Sequence, residues 1–184
     1  MLVYETVEDT FLFVFRLITA ILFPVIIAVI FYRLDKKTKF GKLGYWKKQT
    51  VIGVVFGIIA ILATEFGIPV DGAVLNVRSA APLSAGLIFG GPAGIIAGTI
   101  GAVHRWFSVY WGIGSYTRLA CTLATFFAGL IAALCREIVF NNKKTTWLYG
   151  FIIGVTSEVI HMLMVFFTHL DDLHQAFLLI IKVA

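Results

Sequence analysis

The chain has 184 residues, 60% of them hydrophobic and 14% charged, with a mean hydropathy of +0.95. That composition excludes a water-soluble globular domain and makes lipid the solvent for most of the chain. The formal net charge of +5 is carried mostly by lysines in two short loops, so it reads as a topology signal and excludes a nucleic-acid surface.

In chain order, the N-terminal stretch MLVYETVEDTF is acidic and lacks the basic start and small-residue cleavage site of a signal peptide, so the first apolar window is expected to be retained. That window, Phe11 to Tyr32, meets the roughly 20 residues that a bilayer core of about 30 Å asks of a helix. The loop after it holds Arg33, Lys36, Lys37, Lys39, Lys42, Lys47 and Lys48. The positive-inside rule makes it cytoplasmic and places the N-terminus outside. A second window, Thr50 to Ile68, leads back out to PVDGAVLNVR. The windows Tyr116 to Leu134 and Trp147 to Leu170 flank REIVFNNKKTTW, whose Arg136, Lys143 and Lys144 assign it to the cytoplasm. THLDDLHQ, with Asp171 and Asp172, reads as outside. A last apolar run, Ala176 to Ala184, covers less than half a bilayer at 1.5 Å per residue, so the chain reads as ending inside a helix.

Pro82 to Val103 disturbs this alternation, because a single crossing there would put Lys143 and Lys144 outside. Two readings stand. In one, the segment is a re-entrant pair of half-helices that turns at Gly90, Gly91 and Pro92 and has both ends on the outer side. Irregular backbone at that depth is tolerated only when buried in protein or lining a wet cavity. In the other it is one Pro-kinked spanning helix whose ladder of Gly86, Gly90, Gly94 and Gly98 gives close packing. The first reading yields an all-α integral membrane fold: five transmembrane helices plus a re-entrant pair of half-helices, N-terminus outside and C-terminus cytoplasmic, as one domain over residues 1–184.

Ionisable side chains at mid-membrane cost at least about 2.5–3.5 kcal/mol on insertion scales, so each needs a partner or a purpose. They are Arg16, Glu65, Arg78, Arg105, Arg118, Glu158 and His161. Arg78 and Arg105 are fork-shaped donors suited to a carboxylate or phosphate. If they converge they make an anion site; if each pairs with Glu65 or Glu158 they are packing staples. Four arginines face two acids, which leaves positive charge over. Glu158 and His161 share a helix face, as a proton relay or as a pair that orders the helix. Cys121 and Thr125 are one turn apart, serving packing or lending short-range selectivity for a small anion. His104 is a solvated interfacial imidazole or faces the ligand. His169 and His174 bracket the acidic loop and read as polar loop residues before metal ligands. Cys121 and Cys135 are separated by about 20 Å of helical rise, beyond disulfide reach. No nucleophile triad, metal spacing or phosphate loop is visible, so neither catalysis nor a cofactor nor a metal is expected.

The elements Asn76-x-Arg78, Gly86-Leu87-Ile88-Phe89-Gly90-Gly91-Pro92-Ala93-Gly94, Gly98, His104-Arg105, Phe127-Ala128-Gly129-Leu130 and Gly154-x-x-x-Glu158-x-x-His161-Met162-Leu163 occur in that order. Together they resemble the five-transmembrane receptor domain of LytS-type sensor histidine kinases, a domain that some diguanylate cyclases also carry. The resemblance spans nearly the whole chain. It departs at His161, where the family usually has Gln, at Ala124, which replaces a hydroxyl, and in a longer linker after Arg105. It implies a sensory input domain in the bacterial cytoplasmic membrane, passing its signal through the last helix to cytoplasmic modules of the same chain. It also implies recognition of small carboxylates such as pyruvate, with Arg78, Arg105 and Cys121 at the matching positions. With Asn76, Thr125 and Glu158 these make the expected ligand-binding set, in a domain expected to be a homodimer in the lipid bilayer. The alternatives are the substrate-binding membrane subunit of a vitamin-type importer and an oligomerising module whose Gly86 to Gly98 ladder is the dimer face.

Overall fold

The computed structural model describes residues 7–37, 42–70, 73–112 and 114–183. In chain order these form α1 (Val7–Lys37), α2 (Tyr45–Glu65), β1 (Ile68–Val70), β2 (Ala73–Leu75), α3 (Ala80–Ser84), α4 (Gly91–Ser108), α5 (Arg118–Leu134), α6 (Trp147–Phe167) and α7 (Leu173–Val183). The two strands pair antiparallel, with Ile68 opposite Leu75 and Val70 opposite Ala73. The architecture is thus all-helical apart from a small hairpin where a plain loop was expected. Pro69 fits there because a two-stranded ribbon consists only of edges.

Three helices are both long and apolar enough to cross a bilayer among the described residues: α2, α5 with its continuation to Val139, and α6. α1 has 31 residues, about 46 Å at 1.5 Å each, a length that exceeds the bilayer core. The side chain of Arg16 lies outside the described ones. The last expected window stops at Phe167, and a single tight turn at Leu170–Asp172 leads into α7.

Pro82 to Val103 is not one helix. α3 continues into a wider π-type turn over Ala85–Phe89, and the chain then breaks at Gly90, whose φ of 145° is open only to glycine. From Gly91 the chain runs back along itself as α4, with Pro92 in its first turn, where a missing N–H costs nothing. The fold-back is tight because two glycines face each other: a Cβ on Gly94 would stand 2.7 Å from the Gly86 Cα. The kinked spanning helix is therefore replaced by a helical hairpin.

That hairpin is the centre of the bundle. α4 packs mainly between α2 and α5. On the α2 side Gly53 and Gly57 admit Ile96 and Ile100; on the α5 side Gly94 and Gly98 meet Gly129 and the backbone of Thr125 and Phe126. Ile52, Phe56, Ala60, Ala85, Ala93 and Ala97 form the buried core around it. The glycine ladder is consumed by these internal approaches, which corrects the expectation that it offers a dimer face.

Candidate anion-binding site

The open end of the hairpin brings together the two arginines that sequence reasoning singled out. Arg78 sits in the turn before α3, and Arg105 lies one turn from the end of α4; each is only 1% exposed. Folding α3 back along α4 is what lets residues so far apart in the chain share one end of the bundle.

Neither arginine meets a carboxylate among the described residues. Arg78 donates from Nε to Thr125 Oγ1 at 2.6 Å, from one terminal nitrogen to Thr64 Oγ1 at 3.2 Å, and from the other to the Cys121 carbonyl at 3.4 Å. Arg105 donates to Ser108 Oγ at 3.2 Å, to the Gly114 carbonyl at 2.6 Å and to Thr117 Oγ1 at 3.4 Å. Its Nε has no partner. Every acceptor is neutral. Since a guanidinium stays protonated in proteins, the pair amounts to unspent positive charge in a dry place.

The acids are occupied elsewhere. Glu65 accepts from Trp111 Nε1 at 3.2 Å and pairs with His104 at 3.2 Å. Glu158 pairs with His161 at 3.4 Å, half exposed on α6. The staple reading of the arginines is corrected by these contacts. Arg118 is separate as well: its guanidinium stacks 4.0 Å over Trp106 and donates to the Tyr110 hydroxyl.

A cavity of about 160 Å³ opens against Arg105, lined by Thr64, Glu65, Gly67, Val74, Ser108 and Gly112. Thr64 is the bridge, because the hydroxyl that takes a hydrogen bond from Arg78 belongs to the cavity wall. A space this small suits a short acid or small ion; drug-sized ligands fill about 300–1,000 Å³.

The other expected site residues divide. Thr125 and Cys121 stand directly behind Arg78, as acceptors that fix its fork. Asn76 acts on the backbone, its Oδ1 accepting from the Arg78 N–H at 3.1 Å and its Nδ2 donating to the Val74 carbonyl at 3.3 Å. It shapes the turn that presents Arg78. Glu158 reaches the arginine layer only through His161 and Cys121, the His161 Nε2 lying 3.4 Å from Cys121 Sγ.

Sequence reasoning missed Thr64, Ser108, Gly114 and Thr117. Ser108, three residues past Arg105 on one helix, carried a readable signal; Gly114 and Thr117 join only when the α4–α5 connection folds back. It also missed Gln49, 2% exposed, which donates to the Phe89 carbonyl at 2.9 Å and accepts from the Ala93 N–H at 3.1 Å. One amide thereby caps both helix ends that meet at Gly90.

The family model described as 5TMR of 5TMR-LYT matches residues 30–184. Among curated proteins, the chain is similar to the sensor histidine kinase YpdA of Escherichia coli K12, 31% identical over 119 residues, which are 65% of this chain and 20% of that protein. It is also similar to the sensor histidine kinase BtsS of Escherichia coli K12 and of Shigella flexneri, 28% identical over 116 residues, 61% of this chain and 20% of theirs. The match thus spans about a fifth of these relatives' length. No solved structure matches.

Proposed function

This chain belongs to the 5TMR of 5TMR-LYT family, and on that premise we propose that it senses a small anion of the carboxylate class from the outer side of the bacterial cytoplasmic membrane. It is a sensory transmembrane domain of the kind that sensor histidine kinases carry, in a multi-pass inner-membrane protein, and this segment is not itself catalytic. The importer alternative is not favoured, since the matched relatives are sensors.

The observation that carries the ligand reading is the pair of buried arginines with neutral partners only. A carboxylate in the cavity takes its hydrogen bonds from Arg105, while Arg78, one residue behind at Thr64, lowers the cost of bringing a negative charge out of water. Pyruvate is the first compound to try. The topology that goes with this reading has five crossings and a re-entrant hairpin entering from outside, N-terminus outside and C-terminus cytoplasmic. The bound charge relieves the repulsion between the two cations and draws the ends of the hairpin together. α4 hands that shift to α5, and α6 to α7, toward a kinase or diguanylate cyclase module of the same chain, with two copies acting as a homodimer.

The test is isothermal titration of the protein in lipid nanodiscs with pyruvate, lactate, acetate and succinate. Saturable heat with at least one acid, abolished in both Arg78→Met and Arg105→Met, is the expected result. Heat that survives both substitutions, or no heat with any of the four, overturns the reading.

A further inference from the structure

Behind the arginine layer lies a second constellation, which includes Cys121 and Glu158 of the expected ligand set but whose side-chain contacts the proposed anion site does not use. Cys121 Sγ is 3.4 Å from His161 Nε2, and His161 Nδ1 is 3.4 Å from Glu158 Oε1. The thiol is 5% exposed, while Glu158 stands at the half-exposed surface of α6. Glu158 and His161 are three residues apart and so share a helix face; Cys121 comes from the antiparallel neighbour.

The order of contacts fixes the roles. An ionised carboxylate only accepts hydrogen bonds, so the nitrogen beside Glu158 carries the proton and Nε2 presents its lone pair to the thiol. A nucleophile, a base in hydrogen-bond reach and a third group that orients the base make the arrangement that activates a nucleophile. No group of three or more candidate metal ligands occurs among the described residues. Arg78, 3.4 Å from the Cys121 carbonyl, keeps a permanent cation beside the same helical turn, where a developing thiolate gains from it.

We propose that Cys121 is a reactive thiol, activated by His161 and oriented by Glu158, whose co-reactant is a small membrane-permeant hydroperoxide. His161 takes the thiol proton. The sulfur lone pair attacks the terminal peroxide oxygen, an S–O bond forms and the O–O bond breaks. The leaving oxide receives the proton from His161, giving Cys121 sulfenic acid and one water or alcohol; sulfur loses two electrons and the peroxide gains them. Burial excludes bulky oxidants. Cys135 lies about 20 Å along the same helix, too far to form a disulfide with Cys121, so the sulfenic acid persists until an external small thiol reduces it. None of this depends on the arginines binding an anion.

The chain contains its own reference, since Cys135 is the more accessible of the two thiols and no hydrogen bond joins it to a histidine among the described residues. The protein in nanodiscs is exposed to hydrogen peroxide for graded times, then unfolded and alkylated, and oxidation at each cysteine is read by mass spectrometry. Cys121 is expected to oxidise about tenfold faster than Cys135 despite its burial. In His161→Gln the two rates are expected to converge, and Glu158→Gln, whose side chain is half exposed, is expected to give an intermediate rate. Equal rates in the wild type, which needs no variant to fold, or a Cys121 rate unchanged in His161→Gln, overturns the proposal.

Discussion

The two ends of the α3–α4 hairpin both bury an arginine, yet they set it in different company. At the tip, Arg136 is 7% exposed and donates to the Leu87 carbonyl at 3.0 Å, where α3 and its π-turn end. On the facing side the Glu137 carboxylate lies beside Gly91, where α4 begins. A cation at the carbonyl end and an anion at the N–H end both follow the helix macrodipole, and the Gln49 amide closes what remains. At the open end two cations stand together over neutral oxygens, next to a cavity. Arg136, like Arg105, has a neutral acceptor and a buried Nε without a partner, so a buried arginine alone does not mark a site; two brought together beside a cavity do. The tip is built for stability, and the open end gives some stability up.

The largest effect should come from the tip. Gly90→Val places a β-branched residue at φ 145° and drives a Cβ to 2.7 Å from the Gln49 amide, so a loss of about 4 kcal/mol is expected. Thermal unfolding in detergent measures it, and an unchanged midpoint would dissolve the contrast. Arg78→Met and Arg105→Met should do the reverse: carboxylate affinity falls at least about 100-fold, about 2.8 kcal/mol at 1.4 per decade. The unliganded midpoint meanwhile moves much less than in the tip variant, because removing a buried unpaired charge offsets the loss of acceptor bonds such as that of the Gly114 carbonyl. A drop in midpoint as deep as that of the tip variant would make these arginines structural. Smaller again, Arg136→Met strands the Leu87 carbonyl at a cost of about 1–3 kcal/mol, with ligand affinity unaltered, and the pair of assays that separated the first two variants separates this one.

The contrast also divides what was legible in the sequence from what was not. Gly90, Gly91 and Pro92 announce a break, and the expected sidedness of the basic loops favours a segment with both ends on one side, so the hairpin that brings Arg78 near Arg105 was one of the two readings open in advance. The surplus of arginines over acids could be read too. The partners could not: Thr64 comes from α2 and Gly114 and Thr117 from the α4–α5 connection, all neutral groups, and nothing in their local spacing points at a guanidinium. Gln49 lies just before the expected second window, and its role depends on two backbone groups some 40 residues away. Asn76, counted as a ligand contact, is spent on the turn before Arg78, a use that Asn-x-Arg spacing allows equally. The short hairpin at Ile68–Leu75 escaped notice because strands of three residues leave no periodic signal.

The finest probe of the open end is Glu65, the one acid in the cavity wall. Its carboxylate opposes the field of Arg105 for any anion that enters, but it is 42% exposed and already shared between His104 and Trp111, so water and those partners screen most of its effect. Glu65→Gln keeps an oxygen for the Trp111 N–H and removes the charge. Affinity for a carboxylate should rise about threefold, a fraction of 1 kcal/mol, and the gain should shrink when salt shortens the screening length from about 10 Å at 0.1 M to about 3 Å at 1 M. Titration at both salt concentrations reads this directly. A weakened ligand in Glu65→Gln would mean that the acid serves the ligand, and the cavity would then belong to a molecule carrying both signs of charge.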